Sequence, residues 1–171
     1  MKKVLIAING FGRIGRIFFL QAFGQPEIEI VAINDLGSPE NLAYLLKYDT
    51  VYGRYGKPVE TTRNKLSVDG QEIVLLQEKD LAKLPWKDLN IDIVIESTGV
   101  FDSRELAVPH LNAGAKRVII TAPAKDEETP TFTPNVGWDK ISTADNISIG
   151  AVTSNASCTT NAVNPVAAIM A

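Results

Sequence analysis

Short continuous apolar runs alternate along this chain with longer segments whose apolar residues recur at helical spacing. Val4-Leu5-Ile6-Ala7-Ile8 is apolar throughout, as in a strand covered on both faces. Residues 12–24 carry Ile14, Ile17, Phe18, Leu20, Ala22 and Phe23, which predicts a helix with a broad apolar face. Residues 28–33 form a second strand. Ser38-Pro39-Glu40 reads as a helix start: a capping hydroxyl, a proline suited to the first position, and a carboxylate at the positive end of the dipole. That helix runs through Leu42, Leu45 and Leu46. Residues 51–77 change character. Segments 59–62, 66–68 and 72–76 read as antiparallel strands, the last two joined by a tight Asp69-Gly70 turn. Residues 92–96, 118–121 and 147–152 are three more buried strands. A helix over 103–113, ended by Gly114, separates the first two. The alternation predicts an α/β fold: a doubly wound, mostly parallel sheet with an antiparallel hairpin insertion.

Composition narrows the function classes. A chain of 171 residues suffices for one domain, and one of this size buries roughly 70% of its unfolded surface. A net charge of -3 argues against a large basic footprint for nucleic acid. The single cysteine cannot form an internal disulfide, which fits a reducing compartment. After Met1-Lys2-Lys3 the apolar run is too short for a signal peptide, and Asn9-Gly10 interrupts it. No apolar stretch approaches the ~20 residues that span a bilayer. No metal site is predicted.

The first turn carries a motif. Gly10-Phe11-Gly12-Arg13-Ile14-Gly15 is G-x-G-x-x-G, a weak pattern alone. Here it follows a strand and opens a helix, and the second strand ends at Asp35, about 20 residues on, which together form a dinucleotide fingerprint of Rossmann type. Gly10 permits the tight turn. Gly12 lets backbone approach the pyrophosphate at the helix N-terminus, and Gly15 lets the helix pack closely on the sheet. Asp35 would accept hydrogen bonds from the adenosine ribose and repel a 2′-phosphate, favouring NAD over NADP.

Cys158 lies in Ser154-Asn155-Ala156-Ser157-Cys158-Thr159-Thr160-Asn161. The cluster follows a strand-like run and is polar, as suits a helix start. Such a start turns unpaired N–H groups and the positive end of the dipole toward the sulfur, a setting for a nucleophilic cysteine. The alternative is a small buried core residue.

Six blocks carry a family resemblance: Ile8 to Arg16, Ala32-Ile33-Asn34-Asp35, Leu45 to Asp49, Glu96-Ser97-Thr98-Gly99-Val100-Phe101, Ala122 to Asp126, and Ser154 to Asn161. In this order, and over the whole chain, they resemble phosphorylating glyceraldehyde-3-phosphate dehydrogenase. The resemblance implies that Cys158 is the catalytic nucleophile. It implies that Arg13 and Ile14 offer backbone N–H groups to the pyrophosphate, Asp35 holds the ribose, and Asn9 shapes the phosphate turn. Phe11, Asn34, Thr98 and Gly99 fall in its cofactor-binding blocks. Lys79 stands near the adenine or is a solvated lysine; Phe101 lines the adenine pocket or is an ordinary core residue. Thr121 stands beside the nicotinamide. Ser157 and Thr159 flank the nucleophile, with Thr159 at a substrate phosphate. Ala162 stands where many members have a second cysteine, and Asn164 where most have a small apolar residue.

The implied cofactor is NAD. The implied reaction is oxidative phosphorylation of glyceraldehyde 3-phosphate to 1,3-bisphosphoglycerate through a cysteine thioester, in glycolysis, by a cytoplasmic homotetramer that binds neither membrane nor nucleic acid. Alternatives are the related erythrose-4-phosphate dehydrogenase, or a non-catalytic NAD-binding module. The only histidine, His110, falls within a predicted helix and reads as a surface or satisfied structural residue. The family's catalytic histidine and phosphate-binding threonines and arginine would lie in a second domain after the cysteine. Residues 1–156 are therefore expected to form the NAD-binding domain and 157–171 to open the catalytic domain, the chain alone being inactive.

Overall fold

The computed structural model describes residues 2–133, 136 and 150–170. Strand β1 (Val4–Asn9) leads through Gly10 to helix α1 (Arg13–Ala22), strand β2 (Ile28–Asn34) and helix α2 (Pro39–Lys47). A two-residue ribbon, β3 (Tyr48–Asp49) and β4 (Gly53–Arg54), precedes β5 (Val59–Thr62), β6 (Lys65–Val68) and β7 (Gln71–Leu76). A 3-10 turn (Leu81–Lys83), β8 (Ile93–Glu96), α3 (Arg104–Asn112) and β9 (Arg117–Ile120) follow, and β10 (Val152–Ser154) leads into α4 (Cys158–Met170).

The main sheet has the order β10-β9-β8-β1-β2-β7-β6-β5. Its pairs are parallel from β10 through β7; β6 and β5 are antiparallel additions. The expected insertion thus extends the main sheet, because β7 joins β2 in parallel. Asp69 and Gly70, both at positive φ (51° and 81°), make the two-residue turn between β6 and β7. The β3–β4 ribbon was not expected. For the strand expected at 147–152, residues 147–149 lie outside the described residues, and the described strand starts at Val152.

The alternation of β1 splits the core. Ile8 packs with Phe11, Phe19, Leu42 and Leu46 on one face, whereas Ala7 packs with Trp86, Ile91, Val94 and Ala107 on the other. The β1–β2 register slips between Ile6 and Ala7, leaving Val31 as an extra residue. Val31 and its neighbour Ala32 consequently serve the same core. The buried face of α1 is centred on Gly15, Phe19 and Ala22. Ile14, expected on that face, is half exposed; Phe19 takes the central place at four-residue spacing, its ring edge-on to Phe11 at 5.6 Å. At α2 the expected cap is present, the Ser38 hydroxyl accepting from the Asn41 amide at 3.3 Å with Pro39 at the first turn.

Candidate functional site

The strand order reverses between β1 and β8: the chain runs from β1 outward to β2 and returns to β8 on the other side. Open α/β sheets bind ligands outside the carboxyl ends of the strands at such a switch point. A cavity of about 360 Å³ opens there. Asn9, Gly10 and Gly12 come from the first turn, Asn34, Asp35 and Leu36 from the end of β2, Glu78, Lys79 and Leu81 from the segment after β7, and Ser97, Thr98, Val100 and Phe101 from the loop after β8.

The turn into α1 is set by close approaches. Gly10 has φ +90°, and a Cβ on it would lie 2.7 Å from the Thr98 amide nitrogen. A Cβ on Gly15 would collide with the Gly10 carbonyl. A Cβ on Gly12 would meet no protein atom, so its side is open to a ligand. Gly12 caps α1 without a side-chain hydrogen bond, and no acidic residue stands in the first turn. The helix therefore presents its first N–H groups and its positive dipole end to the cavity, an arrangement suited to a phosphate. The Arg13 guanidinium turns away to Asp49, at 3.4 Å. Asp49 is held below the ordinary carboxylate range, first by the Tyr52 and Val51 amides and further by Arg13.

Asp35 is oriented by two backbone donors. The Phe11 amide donates to Oδ2 at 2.7 Å and the Gly37 amide to Oδ1 at 2.8 Å. Each oxygen keeps a lone pair for a ligand hydroxyl. Phe11 contributes only backbone at this point, its ring being wholly core. Asn9 and Asn34 are buried behind the cavity with their amides committed: Asn34 Nδ2 donates to Asn9 Oδ1 at 2.7 Å, and Asn34 Oδ1 accepts from the Glu78 amide at 2.9 Å. Phe101 lines the cavity and also packs against the second core.

The structure thus gathers Asn9, Gly10, Gly12, Asn34, Asp35, Lys79, Thr98 and Phe101 at one cavity. Thr121 and Cys158 stand apart from it. Thr121 follows β9, its amide and hydroxyl donating to the Glu96 carbonyl at 2.9 and 3.0 Å. Cys158 opens α4 and is exposed. The Ser157 hydroxyl accepts from the Thr160 amide at 2.9 Å and contacts the Thr159 and Thr160 hydroxyls, so it caps this helix. Ala156, at φ +65°, makes the reversal between β10 and α4. Its amide donates to Ser154 Oγ at 3.0 Å, while Asn161 Nδ2 donates to the Asn155 carbonyl at 2.7 Å. Asn164 donates to the Thr133 hydroxyl at 3.1 Å, which gives its polar side chain a partner.

Sequence reading missed Leu36, Glu78, Leu81, Ser97 and Val100 as cavity walls. Ser97 matters most, its hydroxyl donating to the Gly10 carbonyl at 2.7 Å. Reading also missed Glu96, which ends an otherwise apolar strand and is 2% exposed; an acidic residue closing such a run was the available signal. His110 is the satisfied structural residue expected as one of two readings, wholly buried between Trp86 and Glu96.

Comparison with known proteins agrees with this geometry. The family model described as "Glyceraldehyde 3-phosphate dehydrogenase, NAD binding domain" matches residues 4–104. A glyceraldehyde-3-phosphate dehydrogenase of Mycoplasma pneumoniae is 49% identical over 169 residues, covering 99% of this chain and 49% of the relative. One from Thermotoga maritima is 50% identical over 167 residues, covering 96% and 48%. A third, the second enzyme of that name in Bacillus subtilis, is 46% identical over 168 residues, covering 98% and 48%. The chain spans about half the length of these relatives. The cofactor is NAD, and a bare helix N-terminus beside a backbone-oriented carboxylate fits it. Among the described residues no helix is long and apolar enough to cross a membrane.

Proposed function

Since the chain belongs to the glyceraldehyde 3-phosphate dehydrogenase family, we propose that it is the NAD-binding half of an enzyme that oxidises and phosphorylates glyceraldehyde 3-phosphate in glycolysis. The observation that carries this reading is the shared cavity of the uncapped α1 N-terminus and Asp35. The N–H groups of Arg13 and Ile14 receive the pyrophosphate, and Asp35 receives the adenosine ribose hydroxyls. Lys79, Phe101, Thr98 and Gly99 border the adenosine, and Thr121 the nicotinamide. NAD, when bound, supplies the hydride acceptor.

Cys158 Sγ adds to the aldehyde carbon; once that carbon has lost its hydride, to the acceptor that NAD would supply, the sulfur holds the acyl group as a thioester until inorganic phosphate displaces the thiolate and carries the acyl group away as an acyl phosphate. Ser157 and Thr159 flank that sulfur and contact substrate. Residues 1–156 form the cofactor domain and 157–171 open the catalytic domain, which supplies the base and the remaining phosphate contacts. The whole enzyme is a cytoplasmic homotetramer, and residues 1–171 alone are inactive.

NADH production with glyceraldehyde 3-phosphate and phosphate tests the reading. The whole enzyme turns over and its Cys158→Ser variant does not. Residues 1–171 alone give NAD binding without turnover. An active Cys158→Ser enzyme, or turnover by residues 1–171, would refute the corresponding assignment.

A further inference from the structure

Behind the cavity runs a chain of buried side chains that the function above does not use. Trp86 Nε1 donates to His110 Nδ1 at 2.9 Å. An indole N–H only donates, so Nδ1 accepts, and the ring proton is assigned to Nε2, directed at Glu96 Oε2 3.0 Å away. The same oxygen accepts from Asn9 Nδ2 at 2.6 Å. Oε1 accepts from the Thr98 amide at 2.8 Å and from the Thr98 hydroxyl. Four donors therefore converge on one carboxylate, and no cation faces it among these partners. A buried carboxylate is costly even when fully hydrogen-bonded, and an apolar residue would serve the core better.

What the carboxylate secures lies on its Thr98 side. The Thr98 hydroxyl also accepts from the Val100 amide at 3.1 Å, so the loop after β8 hangs from Glu96 at two points. That loop supplies Ser97, Thr98, Val100 and Phe101 to the cavity wall. It also abuts the phosphate turn, leaving no room for a Cβ between Gly10 and Thr98. The Ser97 hydroxyl, next to Thr98 in this loop, donates to the Gly10 carbonyl at 2.7 Å and ties the loop to the turn.

We propose that Glu96 is a positioning residue for NAD: with His110 and Asn9 holding one oxygen, its other oxygen fixes Thr98 and, through Thr98, both the cavity wall and the phosphate turn. The proposal rests on the assignment of this cavity to NAD.

Glu96→Gln separates geometry from charge. Glutamine offers one acceptor oxygen and an NH2 group, so the four donors cannot all be received. Neutralising a charge behind an anionic pyrophosphate would by itself tighten binding. Lost positioning weakens it, so the sign of the change decides. Titration calorimetry with NAD at 25 °C is expected to give a dissociation constant raised about tenfold, the loss of a charge-assisted hydrogen bond. Ile91→Val, a cavity variant in the same core, provides the control for destabilisation alone and leaves the constant within about twofold. An unchanged or lower constant for Glu96→Gln, or an equal rise for Ile91→Val, overturns the proposal. Should Glu96→Gln fail to fold, Glu96→Asp keeps the charge but draws the carboxylate back by one methylene, away from the Thr98 amide and hydroxyl. A raised constant then supports the proposal and an unchanged one overturns it. Asp35→Asn runs alongside. If it weakens NAD and Glu96→Gln does not, positioning alone fails; if neither weakens NAD, the cavity assignment fails and takes the proposal with it.

Discussion

Asp35→Asn is the sharpest test of how the chain selects its cofactor. The native carboxylate accepts from the Phe11 amide at 2.7 Å and the Gly37 amide at 2.8 Å. Asparagine keeps the shape but has one acceptor oxygen, so one backbone donor loses its partner. Asp35 is half-buried and water can reach this edge of the cavity, so the cost to folding is about 1 kcal/mol, the low end for an unpaired group. The larger effect falls on the cofactor. Like unit charges about 5 Å apart repel by about 1–3 kcal/mol between effective dielectrics of ~80 and ~20. Removing one should shift the ratio of NADP to NAD affinity by about 5- to 150-fold toward NADP. Affinity for NAD itself should fall about tenfold, because the ribose loses a charge-assisted acceptor. Titrating both dinucleotides into native and variant protein at fixed ionic strength reads all three quantities, with the melting temperature reporting the folding cost. An unchanged NADP-to-NAD ratio in a folded variant refutes the role of Asp35.

Gly10→Ala combines a left-handed backbone with a Cβ 2.7 Å from Thr98; it should cost about 2–5 kcal/mol and depress melting by roughly 5–15 °C. A shift under 2 °C would contradict the close approach. Asp92 is held below the ordinary carboxylate range, chiefly by the Leu5 amide and then by Lys116. Its contribution is present above the ordinary carboxylate value of about 3.9 and disappears as pH falls through and below it. Denaturant titrations from pH 6 down to pH 2 should show a shallower acid loss for Asp92→Asn than for the native chain; identical slopes would exclude the carboxylate. Alkylation should label the folded chain at one exposed thiol, Cys158, and mass analysis showing no label before unfolding would contradict that exposure.

The first βαβ unit was legible because three independent signals overlap within residues 4–35: an apolar run, a glycine turn and a strand ending on an aspartate. The α2 start was legible for a similar reason, since capping chemistry is local. What escaped reading depends on contacts across the chain. Phe19 displaces Ile14 from the α1 face because Phe11 and Leu42 meet it there, which helical spacing alone does not specify. The β3–β4 ribbon pairs only Tyr48 with Arg54 and Asp49 with Gly53, too few residues to leave a period. The Trp86–His110–Glu96–Asn9–Asn34 chain draws five residues from distant segments, so its only local trace is one acidic residue at a strand end.

Strand order also explains why the cavity and the thiol share no wall. The glycine turn follows β1, whereas Cys158 follows β10, three places along the sheet through β8 and β9. At about 4.8 Å per strand the two ends stand roughly 14 Å apart. All four strands are parallel, so both groups lie on the same edge. Thr121, at the end of β9, falls between them, one strand short of the cysteine segment. A mononucleotide held at Asp35 and α1 would end far from the sulfur. A dinucleotide laid along the strand ends would carry its second base past Thr121 toward Cys158. The separation that keeps Cys158 out of the cavity is thus the separation the proposed chemistry requires. Crosslinking from Cys158 to a reactive group on the nicotinamide end of an NAD analogue, absent when the group sits on the adenine, would bear this out; the reverse pattern would invert the proposed orientation.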